Sequence, residues 1–445
     1  SSSAGANAEI DLSAYSGAGV AFSIRVRGKN VSKSDKPWLG FKFMCSFKEM
    51  ASGRMQYPDV QGISGTFGWR ELTLEVDLTD KSAANAGLFL GVQQGSGTVE
   101  FDLASLKVRR LDPLWPDVNR DVRCRYTRCV LELPQLRGVM LPQGDSTERD
   151  FRDLNAWGCK LARYQMQASW KAQDGLSAQE VYFRQLDGRL NHLEQVLQWA
   201  EKFGLKIVVD LHGSPGGRTN GNDIAMCHDR RYADVFVETW RRIATRFRGR
   251  REIYGFDLVN EPQQWRRALP ECDYWTLQLR AAKAIRAIDS ETPIIVESNG
   301  GDAPYNFKSL RPFDLENVIY QAHMYEPFAF THQGVFSPIG KTYPCASNGW
   351  DRAMLSNVLK PVRDFQIKHG ARILIGEFSA AAWAQGADAY LRDCMSIFAE
   401  YDWDWCYHAF REWPGWSVEH EGTGPSDMKP SADTPRKRVL LRSLR

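Results

Sequence analysis

Eight short, almost uninterrupted apolar runs, at 137–141, 159–166, 205–211, 253–260, 293–298, 317–323, 372–377 and 404–410, are separated by amphipathic helical stretches such as 190–203, 232–247, 274–288 and 354–369. No other feature restricts the fold as much. A strand that is apolar on both sides must be buried on both, unlike the strands of a sheet with one wet face. Strand–helix alternation then calls for a parallel sheet covered by its own helices, and eight such strands close into a (β/α)8 TIM barrel. Chemistry in that architecture sits at the carboxyl-terminal ends of the strands. Two of the runs, Phe256-Asp257-Leu258-Val259-Asn260-Glu261-Pro262 and Ile373-Leu374-Ile375-Gly376-Glu377-Phe378, deliver a glutamate there.

The first hundred or so residues keep a different period. Phe22, Ile24 and Val26, then Leu72, Leu74, Val76 and Leu78, then Leu88, Leu90 and Val92 alternate with polar residues. Alternation of this kind marks half-buried strands, and the Gly/Ser/Asp/Lys clusters between them mark turns. The pattern predicts an all-β antiparallel sandwich, jelly-roll-like, over 1–112 and the barrel over 113–445, joined by the proline-marked stretch Leu111-Asp112-Pro113-Leu114-Trp115-Pro116-Asp117. A last helix is predicted over 435–444, with Thr434 as its cap and Pro435 at the first helical position.

Composition closes off other classes. Lysine and arginine number 57 against 54 aspartates and glutamates, a net charge of +3 that gives no ground for a nucleic-acid or anionic-membrane partner. No apolar run approaches the roughly 18 residues of a membrane span. The small, polar start Ser1–Ala8 reads as the end left by a removed signal peptide, so a secreted or periplasmic location is the expectation. Nine cysteines cannot all pair with one another and none lies in a Cys-x-x-Cys spacing. Most are expected to be small buried hydrophobes, while Cys124 and Cys129 are close enough to bridge a hairpin.

A single strand-end glutamate is ordinarily a structural carboxylate beside an arginine; two on one rim point to acid–base and nucleophilic work. Asn260-Glu261-Pro262 and Gly376-Glu377-Phe378 resemble the motifs of glycoside hydrolase family 5, and the resemblance covers about residues 115–445. It implies a retaining, cellulase-like glycoside hydrolase acting on a β-linked poly- or oligosaccharide, with Glu261 as acid/base after the fourth strand and Glu377 as nucleophile after the seventh. It also implies that Asn260 binds the sugar 2-hydroxyl and that Arg163, in Leu161-Ala162-Arg163-Tyr164, keeps the nucleophile ionised. His212, in Asp210-Leu211-His212-Gly213, and His323 with Tyr325, in Gln321-Ala322-His323-Met324-Tyr325, are implied to bind sugar hydroxyls, Tyr325 also donating to Glu377. Trp413 is the implied stacking platform, since indole and pyranose faces bury against each other. Trp416 lies beside it in sequence, and Trp265 is a candidate for a more distant subsite. No metal or cofactor is implied. The first strand departs from the family, with Met140 and Pro142 where many relatives carry a polar residue and a glycine. The run 97–103, with Leu106 and Val108, resembles the last strands of jelly-roll carbohydrate-binding modules. In that domain Trp38, Phe41 and Trp69 are candidates either for a sugar platform or for the core and a docked face.

Rival classes lack their signatures. There is no Gly-x-Ser-x-Gly elbow for a serine hydrolase and no His-Glu-x-x-His for a metallohydrolase, and the third strand ends in Asp210-Leu211-His212 rather than His-x-His. A non-catalytic carbohydrate-binding protein would keep Trp413 and the histidines without needing both glutamates. A transglycosylase would share every residue named, because it uses the same covalent intermediate.

Overall fold

The computed structural model describes residues 3–445 apart from 35, 37, 51, 52, 54, 80, 115–120 and 145, so 115–117 of the expected linker lie outside the described residues. The chain forms two compact units. The first holds residues 1–118 together with 218–233 and 263–277; the second holds the remainder.

In the first unit, the strands are β1 (Ala4–Ile10), β2 (Gly19–Val31), β3 (Gly40–Glu49), β4 (Met55–Gln56), β5 (Gly65–Asp77), β6 (Ala83–Gln93) and β7 (Thr98–Leu111). They make two antiparallel sheets, ordered β1-β6-β3-β4 and β5-β2-β7. Register places Phe22 opposite Leu74 and Phe43 opposite Leu90, so alternate side chains of both sheets meet in one core with Val20, Ile24, Cys45, Phe47 and Val76. Phe41 belongs to this core, stacked on Phe101 at 5.9 Å, so Trp38, Phe41 and Trp69 do not form one platform. Trp69 is instead flanked by the guanidinium groups of Arg25 and Arg27, 5.7 and 4.9 Å from its ring. Within the same unit, Arg267 Nη2 donates to the Asp112 carbonyl at 2.6 Å, tying the segment 263–277 to the end of β7.

The second unit is a closed barrel of parallel strands: β8 (Arg137–Met140), β9 (Leu161–Gln165), β10 (Lys206–Asp210), β11 (Ile253–Asp257), β12 (Ile294–Glu297), β13 (Val318–Met324), β14 (Arg372–Phe378) and β15 (Asp404–Tyr407). Each of the eight expected runs falls on one of these strands, with β13 and β14 extending one residue past theirs. Leu161, Val208, Ile295, Ile319 and Leu374 form an apolar layer inside it. Two residues further along, the same inward face presents Arg163, Asp210, Glu297 and Gln321, all buried. The polar layer thus rests directly on an apolar floor. Gly376 makes it possible: a Cβ there would come within 2.3 Å of the Gln321 side chain.

Helix boundaries follow capping chemistry. The stretch predicted at 190–203 begins at Ala178, because Ser177 Oγ accepts the Glu180 N–H while the Glu180 carboxylate accepts the Ser177 N–H. It stops at Gly204 in the left-handed conformation. The last helix runs Pro435–Leu444, with Thr434 Oγ1 accepting the Lys437 N–H at 3.0 Å. All nine cysteines are free, so Cys124 and Cys129 are not bridged. No described helix is long and apolar enough to cross a membrane.

Candidate active site

The rim is organised around one buried cation. Arg163, on β9, donates from Nη1 to Glu377 Oε1 at 2.7 Å, from Nε to Asp257 Oδ2 at 2.9 Å, and from Nη2 to Asn260 Oδ1 at 2.9 Å and Glu297 Oε1 at 3.1 Å. Asp210 Oδ2 lies 3.2 Å away. The Met140 sulfur, at the position where the first strand departs from the family, sits 3.7 Å from Nη1.

One guanidinium cannot satisfy four buried carboxylates equally, because burial penalises each negative charge. Burial pushes Asp257 up to about 6, and burial with the neighbouring Asp257 and Asp302 pushes Glu297 well above the usual carboxylate range. Glu377 goes the other way. Burial opposes its charge, but His323, His408, Arg163 and His212 outweigh that and hold it well below the usual range. Protons therefore collect in the layer beneath while the negative charge stands on Glu377.

Glu377 ends β14 and accepts a hydrogen bond from Tyr325 Oη at 2.8 Å. Tyr325 Oη also lies 2.6 Å from His408 Nδ1, and His408 Nε2 lies 3.3 Å from Glu412. Glu261 follows β11 with φ +46°, a left-handed conformation that for a non-glycine residue costs about 1–3 kcal/mol and clusters at functional sites. Its backbone N–H donates to Glu297 Oε2 at 2.6 Å, and its Oε1 is 3.1 Å from His323 Nδ1. Its side chain is 32% exposed, against 6% for Glu377. One oxygen of each glutamate and a ring nitrogen of His323 lie within 4.8 Å of one another. His212 Nδ1 is 2.8 Å from Asp210, and its Nε2 faces the Asn260 amide at 3.3 Å. Burial works against a charged His212, but Asp210 outweighs it and raises the pKa.

Aromatic rings wall the Tyr325 side. Trp416 lies 6.4 Å from the Tyr325 ring and 5.1 Å from His332, and Trp413 packs against Trp416 at 5.3 Å and against Trp383 at 5.9 Å. The structure thus gathers Arg163, His212, Asn260, Glu261, His323, Tyr325, Glu377, Trp413 and Trp416 in one unit. Trp265 falls in the other, its backbone N–H held by Asp223 Oδ1 at 2.9 Å. Sequence reasoning passed over Glu297, His408, Glu412, Trp383 and His332. His408 carried a usable signal, a histidine near the end of the eighth run, as His323 ends the sixth and His212 follows the third. Glu297 carried the bare signal of an acid at the end of the fifth run, and the others carried none.

Two three-residue groups have ligand atoms close enough for a metal ion, Glu261–His323–Glu377 and Glu297–Asp302–His323. Both depend on His323. Burial opposes charge on that ring, but Glu377, the bond to Glu261 and Asp302 push it up to about 9, so a metal ion would have to displace its proton to bind there.

A parallel barrel carrying paired acids on its rim defines a class, the barrel glycoside hydrolases. Within it, residues 127–412, well over half the chain, match the family model for cellulase (glycosyl hydrolase family 5), and the chain belongs to that family. Endoglucanase C of Acetivibrio thermocellus is 28% identical over 245 residues, 48% of this chain and 70% of that protein. Endoglucanase 3 of Fibrobacter succinogenes is 31% identical over 147 residues, 32% of this chain and 21% of its own. Among solved structures, Thermotoga maritima Cel5A in complex with cellobiose superposes with a TM-score of 0.55 at 20% identity, covering 70% of this chain and 97% of that one, a likeness of fold.

Proposed function

We propose that the protein hydrolyses β-glucan with retention of configuration. The ionised Glu377 attacks the anomeric carbon, and Glu261 gives its proton to the departing glycosidic oxygen. The glycosyl ester on Glu377 is then cleaved by water, whose proton returns to Glu261. The supporting observation is that one oxygen of Glu261 lies within 4.8 Å of one oxygen of Glu377, which favours direct attack over the wider spacing, about 6.5–9.5 Å, that admits an intervening water. Division of labour follows from environment: Glu377 is buried and held anionic, whereas Glu261 is open to a leaving group. Tyr325 and Arg163 hold the nucleophile from two sides, and Asn260 turns its amide toward the same space. The relatives named as endoglucanases support β-glucan as the substrate class. The test is proton NMR of the first product formed: the β-anomer is expected, and an α-anomer defeats the mechanism.

A further inference from the structure

Tyr325, which holds the nucleophile, is itself held by a pair of side chains that the mechanism above leaves unused. Its Oη lies 2.8 Å from Glu377 Oε2 and 2.6 Å from His408 Nδ1, and His408 Nε2 lies 3.3 Å from Glu412 Oε2. Glu412 Oε2 also accepts the Gln165 amide at 3.2 Å, and Gln165 gives a second N–H to the Leu141 carbonyl at 2.8 Å. Counting hydrogens sets the direction of each bond. Tyr325 Oη has one hydrogen and two neighbours in reach, so it donates to only one of them. Glu377 is the charged partner and the stronger acceptor, and the hydroxyl donates there. His408 Nδ1 must then carry a hydrogen and donate to Oη. A bare Nδ1 would draw the Tyr325 proton away from Glu377. Nε2, facing a carboxylate oxygen, needs a hydrogen as well. A ring protonated at both nitrogens meets Tyr325 and Glu412 at once, and hydrogen bonds in series strengthen one another.

We propose that His408 and Glu412 are positioning residues that act through Tyr325 on the second step of the reaction, release of the sugar from Glu377; this rests on the double displacement proposed above. In that step a water oxygen bonds to the anomeric carbon. The bond from that carbon to the Glu377 oxygen breaks with its electron pair going to Glu377, and the water proton passes to Glu261. A hydrogen bond to the charged form stabilises the returning carboxylate and makes it a better leaving group. The same bond makes Glu377 a weaker nucleophile in the first step. Loss of the His408–Glu412 support therefore slows release of the sugar far more than its attachment.

Steady-state kinetics of the full chain on dinitrophenyl β-cellobioside separates the steps, because the activated leaving group makes release of the sugar the slower one. His408→Leu should lower kcat at least about tenfold, the size expected of a hydrogen bond to a charged group. KM should fall with it, so that kcat/KM falls far less. Glu412→Gln should act in the same direction more weakly, and His408→Asn, with an amide N–H in place of Nδ1–H, should recover most of kcat. In a Tyr325→Phe background, His408→Leu should change kcat by less than about twofold, since its route to Glu377 is already cut. The proposal is overturned by an unchanged kcat, by a fall in kcat/KM as large as that in kcat, or by a full effect in the Tyr325→Phe background. Should His408→Leu lack native near-ultraviolet dichroism, Glu412→Gln carries the same three criteria. Mass spectrometry of the wild-type chain treated with the deoxyfluoro analogue of the substrate tests the underlying reading. An adduct on Glu377 without the kinetic split removes only the positioning role, whereas no adduct overturns the double displacement and this inference with it.

Discussion

The barrel rim and the sandwich bury charge in opposite ways. At the rim, one guanidinium answers four carboxylates in the interior, while Asp210 Oδ1, Asp257 Oδ1 and Gln321 Oε1 have no hydrogen-bond partner among the described residues. In the sandwich, Lys42 and Asp59 form a buried ion pair, and Trp38 and Tyr57 stand exposed. The contrast separates two tasks. Bond cleavage needs charge fixed in advance where it will be used, which places groups such as the left-handed Glu261 and the desolvated Glu377 under tertiary control. Packing two sheets together needs no such charge, and the Lys42–Asp59 pair is answered within itself.

The sharpest way to break the comparison is at Glu377. Glu377→Ala should cut turnover of every substrate by at least about a thousandfold, roughly 4 kcal/mol of barrier, with circular dichroism unchanged. More than about a hundredth of the wild-type rate would remove Glu377 from the nucleophile's role. Next in size is Arg163→Met, which leaves Asp210, Asp257, Glu297 and Glu377 without their shared cation. Denaturant titration should show a loss of about 3–5 kcal/mol, as when one partner of a buried ion pair is deleted. A loss under about 1 kcal/mol would mean that the layer has already neutralised itself by taking up protons.

Glu261→Ala should act selectively. Polysaccharide hydrolysis, with its poor leaving group, should suffer most, and glycosylation by activated aryl glycosides least, a difference of about tenfold or more. Equal losses in rate would take the acid/base role away.

A smaller effect lies in pH. His323 is pushed up to about 9, above its ordinary value near 6.5, so the stability it contributes is fully present below about 6.5 and lost as pH rises through about 9. Glu377 is depressed, so its contribution is present above about 4.3 and lost as pH falls below it. His323→Gln should flatten the alkaline decline in unfolding free energy between those two upper values and leave the acid limb. An unchanged alkaline slope would mean the ring is neutral throughout. Smallest of all, Trp38→Ala in the sandwich should change unfolding free energy by less than about 0.5 kcal/mol, as for an exposed side chain. A larger loss would make Trp38 a structural residue.

What the sequence revealed, and what it hid, divides along the same physical line. The eight barrel strands were legible because an apolar run buried on both faces is a local pattern, and the last helix because Thr434 and Pro435 announce it. The residues around Glu261 and Glu377 were legible because each lies within a few positions of a strand end. Glu297 was not: alone after Ile294–Val296 it reads as an ordinary strand-end acid, and its bond to the Glu261 N–H exists only after closure of the barrel. Phe41 and Trp38 could not be told apart, since three residues separate a core ring from an exposed one. Nor does any local pattern say that 218–233 and 263–277 cluster with the sandwich, because that contact joins distant stretches of chain.

That last grouping has a consequence for the order in which the molecule is made. When β7 leaves the ribosome, the first unit still lacks two of its pieces. The second of them, ending at Leu277, emerges only after β8, β9, β10 and β11 have been synthesised. Domains generally fold as units during synthesis, the amino-terminal one first. The sandwich core is built entirely from residues before β7 ends, so it closes first and receives the two later segments afterwards. Replacing residues 1–112 alone would leave 218–233 and 263–277 in place without the strands they cluster with.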